Sequence, residues 1–258
     1  MRAVQIVMLT GLGSLAPAAA AQQVSVPEAV TIDATRPPDR PAAAGDSPPA
    51  VSMEAVPEVE PEEPAWAALA EDGFGFRSCL LELDLLKVGY EALQPIRSAD
   101  DPDCGIARPV RISTIQPDVE IVGGAEMRCE TAHMLALWVR DELQPAARRL
   151  PGRPGVTGLV PGSTYQCRAR VGGRAERLSE HALGNAFDIA AFRLSDGSEL
   201  PVAPRDETGD LAEAFQKAVR YGACPYFSTV LGPGSNAAHD NHLHFDVIAR
   251  GNGWRICE

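Results

Sequence analysis

The chain has no Cys-x-x-Cys pair, no internal repeat and no apolar run long enough to cross a bilayer as a helix. A structural fibre would show repetition, so that class has no support in the pattern. Aromatic residues are scarce, at 5%, and 35 acids outnumber 23 lysines and arginines for a formal net charge of -12. Nucleic-acid binding needs a basic stripe with interleaved aromatics, and none is present, so no nucleic-acid partner is expected. No cysteine directly follows the alanine run ending at Ala21, and no twin arginine precedes it. These absences argue against a lipid anchor there and against twin-arginine export.

Residues 1–21 instead carry one positive charge at Arg2, an apolar stretch from Ala3 to Leu15, and the small residues Ala18-Ala19-Ala20-Ala21. That is the pattern of a secretory signal peptide. It predicts a periplasmic or extracellular protein with no stable membrane insertion after cleavage. Residues 22–72 hold eleven acids against two arginines, a net of -9, whereas 73–258 hold 24 against 20, a net of -4. Between 22 and 66 there are nine prolines, and Trp66 is the sole aromatic. Such a stretch buries too little apolar surface to offset its ordering entropy, so 22–72 is expected to be a disordered linker. Residues 73–258 are enough for one globular domain with a core.

Six cysteines lie at 79, 104, 129, 167, 224 and 257. An even count in an exported chain favours disulfides over a thiolate metal site, and near neighbours such as Cys79 and Cys104 are the expected type of pair. Apolar spacing suggests a short helix or strand over 78–90 and a helix over 130–142 that ends or kinks near Pro145. Strands are expected at 164–170, 185–194, 227–231 and 242–249. A turn is expected at 195–198, and a helix over 210–221 that buries Leu211, Phe215 and Val219. Long helical crossovers between strands are largely missing, which predicts an α+β domain with a mostly antiparallel sheet flanked by helices and stapled by disulfides.

Four of the five histidines fall in two short segments: Ser179-Glu-His181-Ala-Leu-Gly184-Asn-Ala-Phe-Asp188, and His239-Asp-Asn-His242-Leu-His244. On a strand, residues two apart share a face, so His242 and His244 point one way while Leu243, Phe245 and Val247 point into the core. Asp188 alternates in the same manner with Phe187 and Ile189. Gly184 is read as the turn that lets His181 and Asp188 converge. Two imidazoles and a carboxylate suit zinc, and a catalytic zinc site keeps a further position for water. A hydrogen-bonded cluster without metal is the plainer alternative. His133, on the helix, is read as a packing histidine.

Taken together, these motifs resemble the extensin-like C-terminal domain family and, more widely, the lysostaphin, D-alanyl-D-alanine metallopeptidase and hedgehog superfamily. The likeness lies in His181 followed seven residues later by Asp188, and in His242-Leu-His244. Ser163-Thr-Tyr-Gln-Cys-Arg168 and Val230-Leu-Gly-Pro-Gly234 extend it over most of 79–257. The resemblance implies that His181, Asp188 and His244 bind zinc while His242 stays off the metal and acts in catalysis. His239 matches a further histidine of the murein endopeptidases, and Arg168 lies where D-alanyl peptidases place a substrate-binding arginine. The carboxypeptidase branch carries a glutamate base in Glu-x-x-His; here Asn241 stands at that place and cannot act as a base, so base duty would fall to histidine. The implied function is zinc-dependent hydrolysis of peptidoglycan stem peptides or cross-bridges. The alternative is a non-catalytic, zinc-containing protein that binds the cell wall.

Overall fold

The structure is a computed structural model that describes residues 63–152, 154–170, 177–205 and 209–258. The expected signal peptide and most of the expected linker lie outside the described residues. Order begins earlier than Gly73. The short helix α1 (Ala65–Ala68) precedes α2 (Gly73–Leu85), which Asp72 caps by accepting from the Gly75 amide at 2.6 Å. Trp66 donates its indole N–H to the Pro102 carbonyl at 2.9 Å, and Glu71 pairs with Arg128 at 2.8 Å. Within the expected linker, an aromatic and a carboxylate thus anchor residues 65–72 to the domain.

The chain then forms β1 (Gly89–Ala92), β2 (Ile96–Arg97), β3 (Gly105–Ile106), β4 (Pro109–Gln116) and β5 (Val119–Arg128). Next come α3 (Cys129–Trp138), a π-helical turn over Val139–Leu143, α4 (Gln144–Ala147) and β6 (Val156–Pro161). The elements that follow are β7 (Ala186–Leu194), β8 (Glu199–Pro201), α5 (Leu211–Tyr221), β9 (Thr229–Leu231), β10 (Leu243–Asp246) and β11 (Ile256–Cys257). Among the described residues the main sheet runs β1-β4-β5-β6-β7-β10-β9-β11, with β8 paired to β7. Only β5–β6 and β9–β11 are parallel, so the expected mixed fold with a mostly antiparallel sheet is what forms.

Helices α3 and α5 pack against this sheet. Trp138 meets Phe245 edge to face, with centroids 5.0 Å apart, and Phe227 stacks on the same ring at 4.9 Å. The Trp138 indole N–H reaches the Val219 carbonyl at 3.0 Å and so ties α3 to α5. Pro145 falls in the first turn of α4, where a missing N–H is tolerated, and the π-helical turn absorbs the change of register before it. Leu211 is 54% exposed rather than buried, since it occupies the first turn of α5 while Phe215 and Val219 face inward. Residues 78–90 divide into the end of α2 and the start of β1.

The disulfides are Cys79–Cys129, Cys104–Cys167 and Cys224–Cys257. The expected pairing of Cys79 with Cys104 is thus wrong: Cys79 sits on α2 against the start of α3, a contact the sequence separation hides. Each bridge closes a loop of 33 to 63 residues and stabilises the fold by about 2–4 kcal/mol. The strand expected at 164–170 is also absent. That segment is irregular, held by Cys167 and by one bridge between Ala169 and Leu178. Because Phe245 is fully buried between Trp138 and Phe227, Phe245→Ala should lower unfolding free energy by about 3–5 kcal/mol, as read from urea melts.

Candidate metal centre

The register of β7 against β10 sets His244 opposite Asp188, with Leu243 opposite Ile189 and Phe245 opposite Phe187. Directly opposed residues share a face, so the two apolar pairs enter the core while the imidazole and the carboxylate meet on the other side. Asp188 Oδ1 lies 2.8 Å from His244 Nδ1. His181 arrives from a 3₁₀ turn over Glu180–Leu183, whose first amides Ser179 caps. Gly184 ends that turn at φ 68°, in the left-handed region. A Cβ there would lie 2.4 Å from Ile106, so both the backbone angle and the space require glycine.

His181 Nε2 lies 3.1 Å from Asp188 Oδ1 and 3.2 Å from His244 Nδ1. The three atoms form a triangle with edges of 2.8, 3.1 and 3.2 Å. Donors about 2.0–2.1 Å from a tetrahedral zinc sit roughly 3.3 Å apart, so the arrangement suits a small divalent cation. The outer faces of both rings are held as metal-ligating histidines require. His181 Nδ1 donates to the Thr164 carbonyl at 2.8 Å, and His244 Nε2 to Asp246 Oδ2 at 3.2 Å. Among the described residues the other cluster of metal-type side chains is Asp101, Cys104 and Cys167, and its two sulfurs are joined in a disulfide.

The remaining expected residues surround the triangle. His242 Nε2 lies 3.6 Å from Asp188 Oδ2, while its Nδ1 donates to Asn241 Oδ1 at 2.8 Å. His239 closes a 3₁₀ turn over Ala237–His239, donates Nδ1–H to Asn236 Oδ1 at 2.7 Å, and sets its ring 5.2 Å from that of His242, tilted, and 5.6 Å from that of His244, edge-on. Arg168 lines the same cleft, of about 270 Å³, together with Arg170, Leu231, Arg250 and Ile256. The structure therefore gathers His181, Asp188, His239, His242, His244 and Arg168 in one place. It leaves His133 elsewhere, 3.1 Å from Glu82.

Sequence reasoning missed Asp246, which is 3% exposed and touches His244. Period-two alternation running on from His242 and His244 was the signal that could have found it. Glu180 and Asn185 were missed as well. Glu180 binds Arg170 at 2.6 Å and Asn185 at 2.8 Å, and Asn185 in turn accepts from Arg128 at 2.8 Å. This network braces the turn that presents His181.

Charge decides what the centre wants. Burial opposes a proton on His244, but hydrogen bonds to Asp188 and Asp246 outweigh it and push the imidazole up to about 9. Burial would raise Asp188, yet His181 and His244 hold it well below the carboxylate range. Burial, with the neighbouring charges of His244 and His242, lowers His239 to about 4, and burial first of all lowers His242. The buried carboxylates thus keep a proton on His244.

These features are a cluster of side chains with the donor set and spacing to hold a cation, beside an arginine-lined cleft in a disulfide-stapled domain. The chain belongs to the extensin-like protein C-terminus family, whose pattern matches residues 77–258. No curated protein and no solved structure matches the chain.

The elevated His244 gives a signed pH dependence. Its proton stabilises the metal-free fold fully below about 6.5, and that stabilisation is lost as pH rises through about 9. A divalent cation should displace this proton, so binding near pH 7 should release about one proton, and affinity should fall about tenfold per unit as pH drops from 8 to 7. Calorimetry in buffers of different ionisation enthalpy reads this directly, and a pH-independent affinity would contradict it.

Proposed function

We propose that this domain is a zinc-dependent peptidase of the bacterial cell envelope that hydrolyses peptide bonds in peptidoglycan stem peptides or cross-bridges. We place it with the lysostaphin, D-alanyl-D-alanine metallopeptidase and hedgehog superfamily. The observation that carries the reading is the convergence of His181 Nε2, Asp188 Oδ1 and His244 Nδ1 beside two further imidazoles. Two nitrogens and a carboxylate oxygen are a zinc donor set, and the cleft leaves one side of it open. Zinc, when bound, supplies Lewis-acid polarisation of a carbonyl and makes water a competent nucleophile at neutral pH.

The chain's own residues divide the remaining work. Asn241 accepts the Nδ1 proton of His242, which leaves Nε2 with its lone pair toward Asp188 and the cleft. Burial keeps this ring neutral near pH 7, so it can take a proton from the attacking water and return it to the leaving amine. His239, neutral for the same reason and tilted against His242 with ring centroids 5.2 Å apart, presents a second neutral imidazole to the cleft. Arg168 hydrogen-bonds to Gln166 at 3.1 Å, and its charge bears on both histidines. From there it can hold a substrate carboxylate or stabilise the oxyanion. The substrate class draws on the export signal and the superfamily resemblance, and three paired cystines accord with an oxidising compartment. No helix among the described residues is long and apolar enough to cross a membrane.

The test is mass spectrometry of soluble products after the zinc-loaded chain is incubated with peptidoglycan sacculi. New cleaved stem peptides are expected from the wild type and not from His181→Ala. His242→Ala should lower turnover by about 10²–10⁴ while keeping stoichiometric zinc. Zinc binding without any product would sink the enzyme reading in favour of a non-catalytic wall-binding protein.

A further inference from the structure

The shared wall of the cleft holds a hydrogen-bonded chain that ends on the metal centre. Arg250 donates Nη1–H to the Ser228 carbonyl at 2.6 Å and Nη2–H to Thr229 Oγ1 at 2.7 Å. A guanidinium can only donate, so the threonine hydroxyl accepts from Arg250 and its single proton is directed elsewhere. That proton goes to Asp246 Oδ1, 2.7 Å away. The Ile248 amide donates to the same oxygen at 3.1 Å. With Oδ1 taken up, Oδ2 is left for His244 Nε2 at 3.2 Å. An ionised carboxylate cannot donate, so Nε2 must carry the proton of the neutral ring and the lone pair must sit on Nδ1, the nitrogen turned toward Asp188 and His181.

Strand register builds the chain. Asp246 stands opposite Thr229 in the β9–β10 pair, and Asp246 lies two residues beyond His244 on the same face. Arg250 comes from the segment after β10 and reaches back to Ser228 and Thr229 at the start of β9.

We propose that Arg250 is a positioning residue for the metal centre, acting through Thr229 and Asp246 to fix the tautomer and ring angle of His244. The inference rests on the reading that His181, Asp188 and His244 hold a cation. It assigns a function to three residues that neither histidine motif contains. Arg250 does not touch the metal site; it removes the alternative in which Thr229 turns its hydroxyl away and Asp246 swings off the imidazole.

The test measures zinc dissociation constants of the full chain by competition with a chromophoric chelator, beside circular dichroism of each metal-free variant. Asp246→Asn should weaken zinc binding by about 10–100-fold, the usual effect of losing a carboxylate behind a histidine ligand. Thr229→Val and Arg250→Met should each weaken it by a smaller factor. Combining either of them with Asp246→Asn should add nothing beyond Asp246→Asn alone, because both act through that carboxylate. A loss that merely reflected a looser fold would add in the double variants. If Asp246→Asn fails to fold, Arg250→Met at its half-buried position carries the test, since its effect on zinc must then appear with native dichroism. Wild-type chain that binds no zinc would overturn the metal reading itself. Stoichiometric wild-type binding with Thr229→Val and Arg250→Met as tight as wild type, or with additive double variants, would overturn this proposal alone.

Discussion

The pairing of β7 with β10 is the constraint on which the rest depends. Side chains alternate along both strands, so one register decision places Leu243, Phe245, Phe187 and Ile189 in the core and His244 against Asp188 on the opposite face. A slip of one residue would exchange the two sets, expelling two phenylalanines into water and driving charged groups into the apolar layer. The packing of Trp138 and Phe227 on Phe245 therefore does more than stabilise the sheet. It makes the polar encounter on the far face the only one compatible with a filled core.

That encounter creates an electrostatic problem. Asp188 and Asp246 are both buried, at 2% and 3% exposed, and His244 lies between them. Two carboxylates beside one neutral imidazole would be costly in so little water. The fold answers with a proton on His244 and with hydroxyl and amide donors on Asp246. The arrangement of donors around the two carboxylates follows from that demand for positive charge.

How much of this was legible in the sequence depends on distance along the chain. The histidine segments lie on a turn and on strands with clear period-two alternation, so the faces of His242, His244 and Asp188 could be read locally. The hairpin of β4 and β5 was not foreseen: register shifts break its alternation, Gly123 and Gly124 interrupt it, and Asp118 turns it at φ 66°. Residues 164–170 alternate like a strand, yet a disulfide to Cys104 and the approach of Thr164 to His181 decide their path. Those are tertiary facts with no local pattern. Asp246 was overlooked because it falls just outside the histidine motif, although the same alternation that placed His244 also places it.

The N-terminal anchor has one more consequence. The family pattern begins at residue 77, whereas the physical body of the domain begins some dozen residues earlier, with Trp66 against Gly105 and Glu71 against Arg128. Arg128 also holds Asn185, and through it Glu180 and the turn of His181. The start of the domain is thus clasped to the candidate metal centre: a load on the segment carrying Glu71 would reach, through Arg128, Asn185 and Glu180, the turn that presents His181.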